Sequence, residues 1–321
     1  MKLIKKIKIF VLIIVFLNNT TCYSMDYKTP FSPYAQISLY DGDQLIKILK
    51  SLNLTEIILA FIQDGKKCVP SWDGSYYNSL TEQKYIKALK LLKENSIQYH
   101  ISIGGADGND LSNQCASSME LFQAYEKIYN LYLPFGLDLD LESRILSKPK
   151  SIKKIIQAIK IFHTKYPNVL LTLTIPTMPY GIENRTKKLI KDLAAHQITF
   201  TVNLLAMSYH KKYNQNMAKY AIQAANNLRL FLSSVYPKKE TKEIWKIIHI
   251  TPMIGINDIK NEVFTIANVS ELKSFANKVK IGGLHMWSLD RDKPCENKTS
   301  IHFCSGINTQ KYFDFTKNFL K

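Results

Sequence analysis

Eight short runs of apolar and β-branched residues recur along this chain, at 35–40, 56–62, 98–103, 136–141, 169–175, 199–206, 247–252 and 282–287. Between them lie stretches, among them 80–94, 117–131 and 152–163, whose apolar residues repeat at helical spacing. Strict strand–helix alternation demands a mainly parallel sheet, because parallel neighbours can be joined only by a crossover. Eight such units in 321 residues fit one α/β fold, a single (β/α)8 TIM barrel. An open doubly wound sheet is the rival architecture, but no Gly-rich phosphate loop follows the first strand to favour it.

The chain opens with a different pattern. Lys2, Lys5, Lys6 and Lys8 form a positive front, an apolar run follows at 9–17, and small Ser24 suits a cleavage site. Residues 1–24 are assigned to a secretory signal and 25–321 to the barrel, so the mature protein is expected outside the cell. The apolar run is too short for a membrane span, which needs about 20 residues; no membrane association is expected after processing. Lipidation at Cys22 is disfavoured by Thr21 before it.

Lys and Arg outnumber Asp and Glu by 43 to 26, a formal net charge of +17. The lysines are scattered over helix-like stretches instead of forming a basic stripe with interleaved aromatics, so nucleic acid is not an expected partner. Four cysteines remain after processing, and an exported chain with an even number points to disulfides. Cys295 and Cys304 bracket one short loop and are expected to pair; Cys68 then takes Cys115. Zinc ligation is the alternative, but it lacks a close Cys-x-x-Cys pair.

In a (β/α)8 barrel, function sits where strands end. The fourth run reads Gly136-Leu137-Asp138-Leu139-Asp140-Leu141-Glu142. Side chains alternate along a strand, so Asp138, Asp140 and Glu142 share one face and the leucines take the other, toward the helices. Three carboxylates brought together out of water cannot all stay ionised, and at least one holds a proton near neutral pH. Glu142, at the strand end, is the expected proton donor, raised by Asp140. No second acidic cluster supports a metal, and no metal or organic cofactor is expected. The third run ends Ser102-Ile103-Gly104-Gly105, whose glycines permit close approach of the acidic strand or a ligand. The last contains Trp287, whose indole face suits stacking against a sugar ring.

Together these elements resemble the family 18 glycoside hydrolases, which include chitinases. The signature Asp-Gly-x-Asp-x-Asp-x-Glu is matched by Gly136, Asp138, Asp140 and Glu142, and Ser-x-Gly-Gly by Ser102, Gly104 and Gly105. Leu59-Ala60-Phe61-Ile62, Thr174-Ile175-Pro176, Thr251-Pro252-Met253-Ile254-Gly255-Ile256-Asn257-Asp258 and Met286-Trp287-Ser288-Leu289-Asp290-Arg291-Asp292 look like a bacterial chitinase subgroup. The resemblance implies a secreted, monomeric enzyme hydrolysing chitin or other N-acetylglucosamine glycans with retention.

It further implies that Glu142 protonates the glycosidic oxygen while the substrate's own acetamido carbonyl attacks the anomeric carbon, forming an oxazolinium ion. Asp140 orients the acetamido N–H, Asp138 shares a proton with Asp140, and Tyr209 bonds the acetamido oxygen. Trp287, Met207, Phe61, Ser102, Gly104, Gly105 and Tyr40 line the substrate site, and Trp72 and Tyr180 are candidates to extend it. Three positions depart from the pattern: Phe135 stands for the signature's first Asp, Leu205 for a Met, and Ser208 for an Asp. The short connection after the seventh strand implies no α+β insertion and an open, endo-acting groove. An endo-β-N-acetylglucosaminidase acting on N-glycans shares the same acids, and a glycan-binding lectin on the same barrel is the non-enzymatic alternative, favoured only by Ser208.

Overall fold

The computed structural model describes residues 27–296 and 302–321; the assigned secretory signal at 1–24 lies outside them. Eight parallel strands follow one another around a sheet: β1 Tyr34–Gln36, β2 Glu56–Asp64, β3 Gln98–Gly104, β4 Gly136–Asp140, β5 Leu170–Pro176, β6 Thr201–Leu205, β7 Ile248–Thr251 and β8 Gly283–Leu284. The ring closes where Ser32 N donates to Leu284 O and Tyr34 N donates to Met286 O, each at 3.1 Å. Closure leaves no edge strand along this side.

Leu137 and Leu139 of β4 join Ile101 and Ile103 of β3 and Leu171 and Leu173 of β5 in the main apolar core between sheet and helices. Each fully buried leucine contributes about 1.5–3 kcal/mol. The inward faces are largely polar. His100 and Ser102 of β3, Asp138 and Asp140 of β4, Thr172 and Thr174 of β5, Asn203 of β6 and Thr251 of β7 are all buried, and register sets Ser102 beside Asp138 and Gly104 beside Asp140. The interior apolar group is small: Tyr34, Ile58 and Ala60, with Phe61 and Trp287 packed against it.

The helices start where local chemistry dictates. Ser117 Oγ accepts from Glu120 N at 3.1 Å and caps Ser118–Tyr132. Pro149 occupies the first turn of Pro149–Lys165, where its missing N–H has no intrahelical partner to lose. The stretch at 80–94 becomes helical only over Gln83–Glu94, with Leu80 buried ahead of it.

Five of the eight strands are shorter than their apolar runs, and the first and eighth lose half or more of theirs. The first stops at Gln36, and Ile37–Leu39 forms a 3-10 turn, because Asp41 must cap the next helix, Gly42–Ser51. In the eighth the regular ladder covers Gly283–Leu284, after which the chain splays; Trp287 N still reaches Pro252 O at 2.9 Å. The connection after β7 carries a two-stranded hairpin, Gly255–Ile256 with Val263–Phe264, before its helix Ile266–Val279. Cys68 is bonded to Cys115, tying the segment after β2 to that after β3, and Cys295 to Cys304. Among the described residues no helix is long and apolar enough to cross a membrane.

Candidate active site

The acidic face of β4 runs from a buried, hydrogen-bonded floor to an open rim. Asp138 is deepest. Its Oδ2 accepts from Ser102 Oγ at 2.7 Å and Tyr34 OH at 2.8 Å, and its Oδ1 from Thr174 Oγ1 at 2.6 Å. Behind these hydroxyls, Asn203 Nδ2 donates to Tyr34 OH and Thr174 Oγ1, both at 3.0 Å, and Thr251 Oγ1 donates to Asn203 Oδ1 at 2.8 Å. Burial raises the Asp138 pKa, while the three hydroxyls favour its charged form.

Asp140 has no such support. It is buried, its Oδ1 has no hydrogen-bond partner, and its pKa is pushed well above the usual carboxylate range by burial, then by Glu142, Asp138 and Asp110. The carboxyl of Asp138 is occupied by hydroxyls, and the two acids act on each other through charge.

Glu142 is half-buried at the rim, and its pKa rises to about 7. The cause differs from the sequence expectation. Burial is the largest, followed by Asp107 and Asp258, with Arg144 opposing. Alternation along β4 identifies Asp140 as a neighbour, but charges from other loops dominate at the strand end. Glu142 borders a small recess shared with Gly105, Asp110, Arg144 and Lys148.

The glycines of β3 make this packing possible. A Cβ on Gly104 would stand 2.2 Å from Asp140 O, and one on Gly105 would stand 2.9 Å from the Phe61 ring. Both residues have positive φ, +117° and +94°. Phe61 stacks on Trp287 with centroids 5.3 Å apart and planes at 17°; Trp287 also lies 6.0 Å from the Tyr34 ring. On the β6 side Tyr209 is buried with its hydroxyl unpartnered, and its N–H donates to Glu262 Oε2 at 3.0 Å. Met207 is half-buried.

Not every candidate reaches this site. Trp72 is fully buried, its Nε1 donating to Tyr132 OH at 3.0 Å, so it is core and no sugar platform. Tyr40 is half-buried against the main core, beside Asp290. Tyr180 is exposed. Phe135 lies just before β4, opposite the acidic end, edge-on to His100. Among the described residues no group of His, Cys, Asp or Glu side chains is arranged to hold a metal ion.

The catalytic domain of a hyperthermophilic chitinase from Pyrococcus furiosus is 31% identical and superposes with a TM-score of 0.80, over 91% of this chain and 96% of that one. The chain belongs to the family 18 chitinases. No family model matches it. A probable bifunctional chitinase/lysozyme of Escherichia coli K12 is 29% identical over 86% of this chain and 32% of its own length. Endochitinase 11 of Metarhizium anisopliae is 28% identical over 83% and 53% respectively. The chain thus spans about a third to a half of these curated relatives.

In this family 18 barrel, several residues that shape the site escape a sequence reading. Tyr34, Asn203 and Thr251 come from three strands other than β4. The available signal is a polar residue at an inward position of an otherwise apolar strand, as in Thr201-Val202-Asn203-Leu204-Leu205. Asp107 and Asp258 lie in loops, where no periodicity exists to single them out.

Proposed function

We propose that this chain is an exported chitinase that hydrolyses β-1,4 bonds between N-acetylglucosamine units, with retention and with the substrate's acetamido group as nucleophile. One observation carries the reading. Asp140 Oδ1, two residues along the chain from a carboxyl whose pKa is about 7, and Tyr209 OH, just after β6, are both buried and unpartnered. An acetamido group offers a complementary pair: its N–H for Asp140 and its carbonyl oxygen for the Tyr209 O–H. Buried polar groups left without partners are costly, and a bound amide would relieve both.

The chemistry follows from these roles. Glu142 gives its proton to the glycosidic oxygen as that bond to C1 breaks, and the alcohol leaves. The acetamido oxygen forms a bond to C1 on the opposite face, giving an oxazolinium ion whose N–H is held by Asp140. Glu142, now a carboxylate, takes a proton from water as the water oxygen bonds to C1 and the acetamido oxygen departs. Two displacements retain the anomeric configuration, with one protein carboxyl as acid and base, outside the two-carboxylate scheme. Trp287, backed by Phe61, supplies a flat apolar floor for the sugar ring.

The small hairpin and single helix after β7 favour an open, endo-acting groove. The Lys-rich front, the apolar run behind it and the two disulfides support export, and a monomer is the simplest state. A fluorogenic chitotriose assay tests the reading. We expect turnover by the wild type and none by Glu142→Gln, which should still bind oligosaccharide. Equal turnover in both would remove Glu142 from the mechanism. Cleavage of a high-mannose glycopeptide but not of chitotetraose would reassign the substrate to N-glycans.

A further inference from the structure

The charge of this chain is divided unevenly along its length. Over residues 27–142 Asp and Glu outnumber Lys and Arg by fourteen to ten, whereas over 143–250 Lys and Arg outnumber Asp and Glu by nineteen to four. The cations of the second stretch are scattered in sequence, but the fold gathers them. Strands β4, β5, β6 and β7 are consecutive neighbours in the sheet. The helices that join them, Pro149–Lys165, Asn184–Ala195, Met217–Val235 and Thr241–Ile247, therefore pack side by side along one flank of the barrel.

Amphipathicity sets which way the charges face. Pro149–Lys165 buries Ile155, Ile156, Ile159 and Phe162, which turns Lys150, Lys153 and Lys160 outward, all of them exposed. Helical spacing puts these three on one stripe, about 15 Å from first to last, on a helix without an acidic residue. A groove between this helix and the next is lined by Lys153 and Gln157 from one and by Asp192 and His196 from the other. Lys187 and Lys191 of Asn184–Ala195 both lie over the Phe231 ring of the third helix, each 5.9 Å from its centroid. Arg229 of that helix lies over Trp245 of the fourth, also at 5.9 Å. The basic surface is thus continuous from helix to helix. The acids on the four helices are Asp192, paired with Lys188 at 2.7 Å, and Glu243. Like charges on neighbouring turns oppose helix formation, while a face that concentrates them attracts a polyanion from outside.

We propose that this flank is a docking surface for a linear, densely charged anionic polysaccharide. Three observations choose that partner. Sixteen of the nineteen cations are lysines, point charges that match closely spaced anions without the fork by which arginine selects phosphate. Among the described residues of the four helices, Leu230 is the one exposed large apolar side chain, whereas adsorption to a bilayer needs an apolar face to bury. None of their aromatic rings is exposed, so unpaired nucleobases have nothing to stack on. The flank lies along the barrel wall, and the acidic face of β4 opens at the strand ends, so a polyanion held here leaves the site clear. The inference goes beyond the chitinase reading and does not depend on it.

The test uses heparin as the probe, with binding to the folded chain followed from about 0.05 to 0.3 M salt. A polyanion releases counterions when it binds, so log affinity falls linearly with log salt, and each lost contact lowers that slope by about 1. The quadruple variant Lys150→Gln/Lys153→Gln/Lys160→Gln/Lys191→Gln should bind about tenfold or more weakly at about 0.15 M salt, with the slope reduced by about 2 or more. The matched variant Lys47→Gln/Lys50→Gln/Lys84→Gln/Lys90→Gln removes four exposed charges from the helices Gly42–Ser51 and Gln83–Glu94 instead. It changes the net charge equally and should weaken binding less than about threefold. An equal or larger loss in the matched variant assigns the attraction to net charge and overturns the inference, as does failure of the wild type to bind heparin. Tighter binding to phosphatidylglycerol vesicles or to duplex DNA than to heparin at the same salt overturns the choice of partner. Both variants should turn over chitotriose like the wild type. Turnover without heparin binding sinks this inference alone, and heparin binding that follows the flank in a protein without turnover upholds it and sinks the chitinase reading instead.

Discussion

The Tyr34 hydroxyl donates to Asp138 Oδ2 at 2.8 Å across the barrel interior, joining the first strand to the acidic one. Tyr34 is fully buried, and its phenol is pushed well above its ordinary pKa by burial, then by Asp138 and Asp140. It therefore remains a donor throughout the working pH range. Tyr34→Phe removes one of three hydroxyls on Asp138 and leaves the shape nearly intact. A hydrogen bond to a charged group contributes about 1.5–3 kcal/mol. We expect kcat/KM on chitotriose to fall about 10- to 100-fold with an unchanged circular dichroism spectrum. A change of less than about twofold would show that Ser102 and Thr174 suffice to hold Asp138.

Glu142 opposes stability through the same raised pKa that suits it to its proposed role as proton donor. Its pKa is raised from 4.5 to about 7. Below pH 4.5 both folded and unfolded states hold the proton, and the shift costs nothing. Between 4.5 and 7 the unfolded chain releases it first, so folding becomes less favourable as pH rises. Allowing for partial exposure, the accumulated cost is on the order of 2 kcal/mol. Glu142→Gln should be more stable than wild type by about that amount at roughly pH 8 and nearly equal to it at roughly pH 4. Urea denaturation at the two pH values measures this difference directly.

How far the sequence reaches depends on whether a feature is periodic. Asp138, Asp140 and Glu142 are legible because a strand alternates, and one run of residues carries the whole acidic face. The barrel is legible for the same reason, repeated eight times. Breaks in the pattern are harder. The first apolar run continues to Tyr40, yet the strand ends at Gln36 and Ile37–Leu39 turns toward the helix that Asp41 caps. Trp72 misleads in the opposite way, since nothing local distinguishes a buried tryptophan from an exposed one. Tyr34 and Asn203 join the site only through barrel closure and strand register, which are long-range facts.

The Cys68–Cys115 bond closes a loop with a sequence separation of 47 and links two segments that flank the site, where Asp64 N also donates to Asn109 O at 2.8 Å. Loop closure of that length stabilises by about 4 kcal/mol in the chain-entropy treatment. The double substitution Cys68→Ser/Cys115→Ser should lower the unfolding free energy by about 2–4 kcal/mol. Because Asp107 and Asp110 lie on the tethered segment, kcat/KM should fall as well. Loss of stability without any loss of activity would show that the tether does not position those acids.

At the opposite end of the barrel, His249 Nδ1 and His285 Nε2 stand 2.9 Å apart, and His285 Nδ1 lies 2.9 Å from Ser32 O. A neutral His285 that donates through Nδ1 to Ser32 O accepts from His249 through Nε2, so the pair is satisfied without charge. Burial lowers both pKa values, that of His285 to about 4. As pH falls from 6.5 toward 4, the unfolded chain takes up protons that the folded one refuses, and stability is lost. Glu142 works the other way over part of this range, so the comparison belongs in the Glu142→Gln background. There, His285→Asn keeps a donor near Ser32 and removes the titrating ring. It should lower the unfolding free energy at about pH 7.5 while flattening its decline toward about pH 4.5 by about 1–3 kcal/mol. An equally steep decline in both proteins would assign the acid sensitivity to groups other than this histidine.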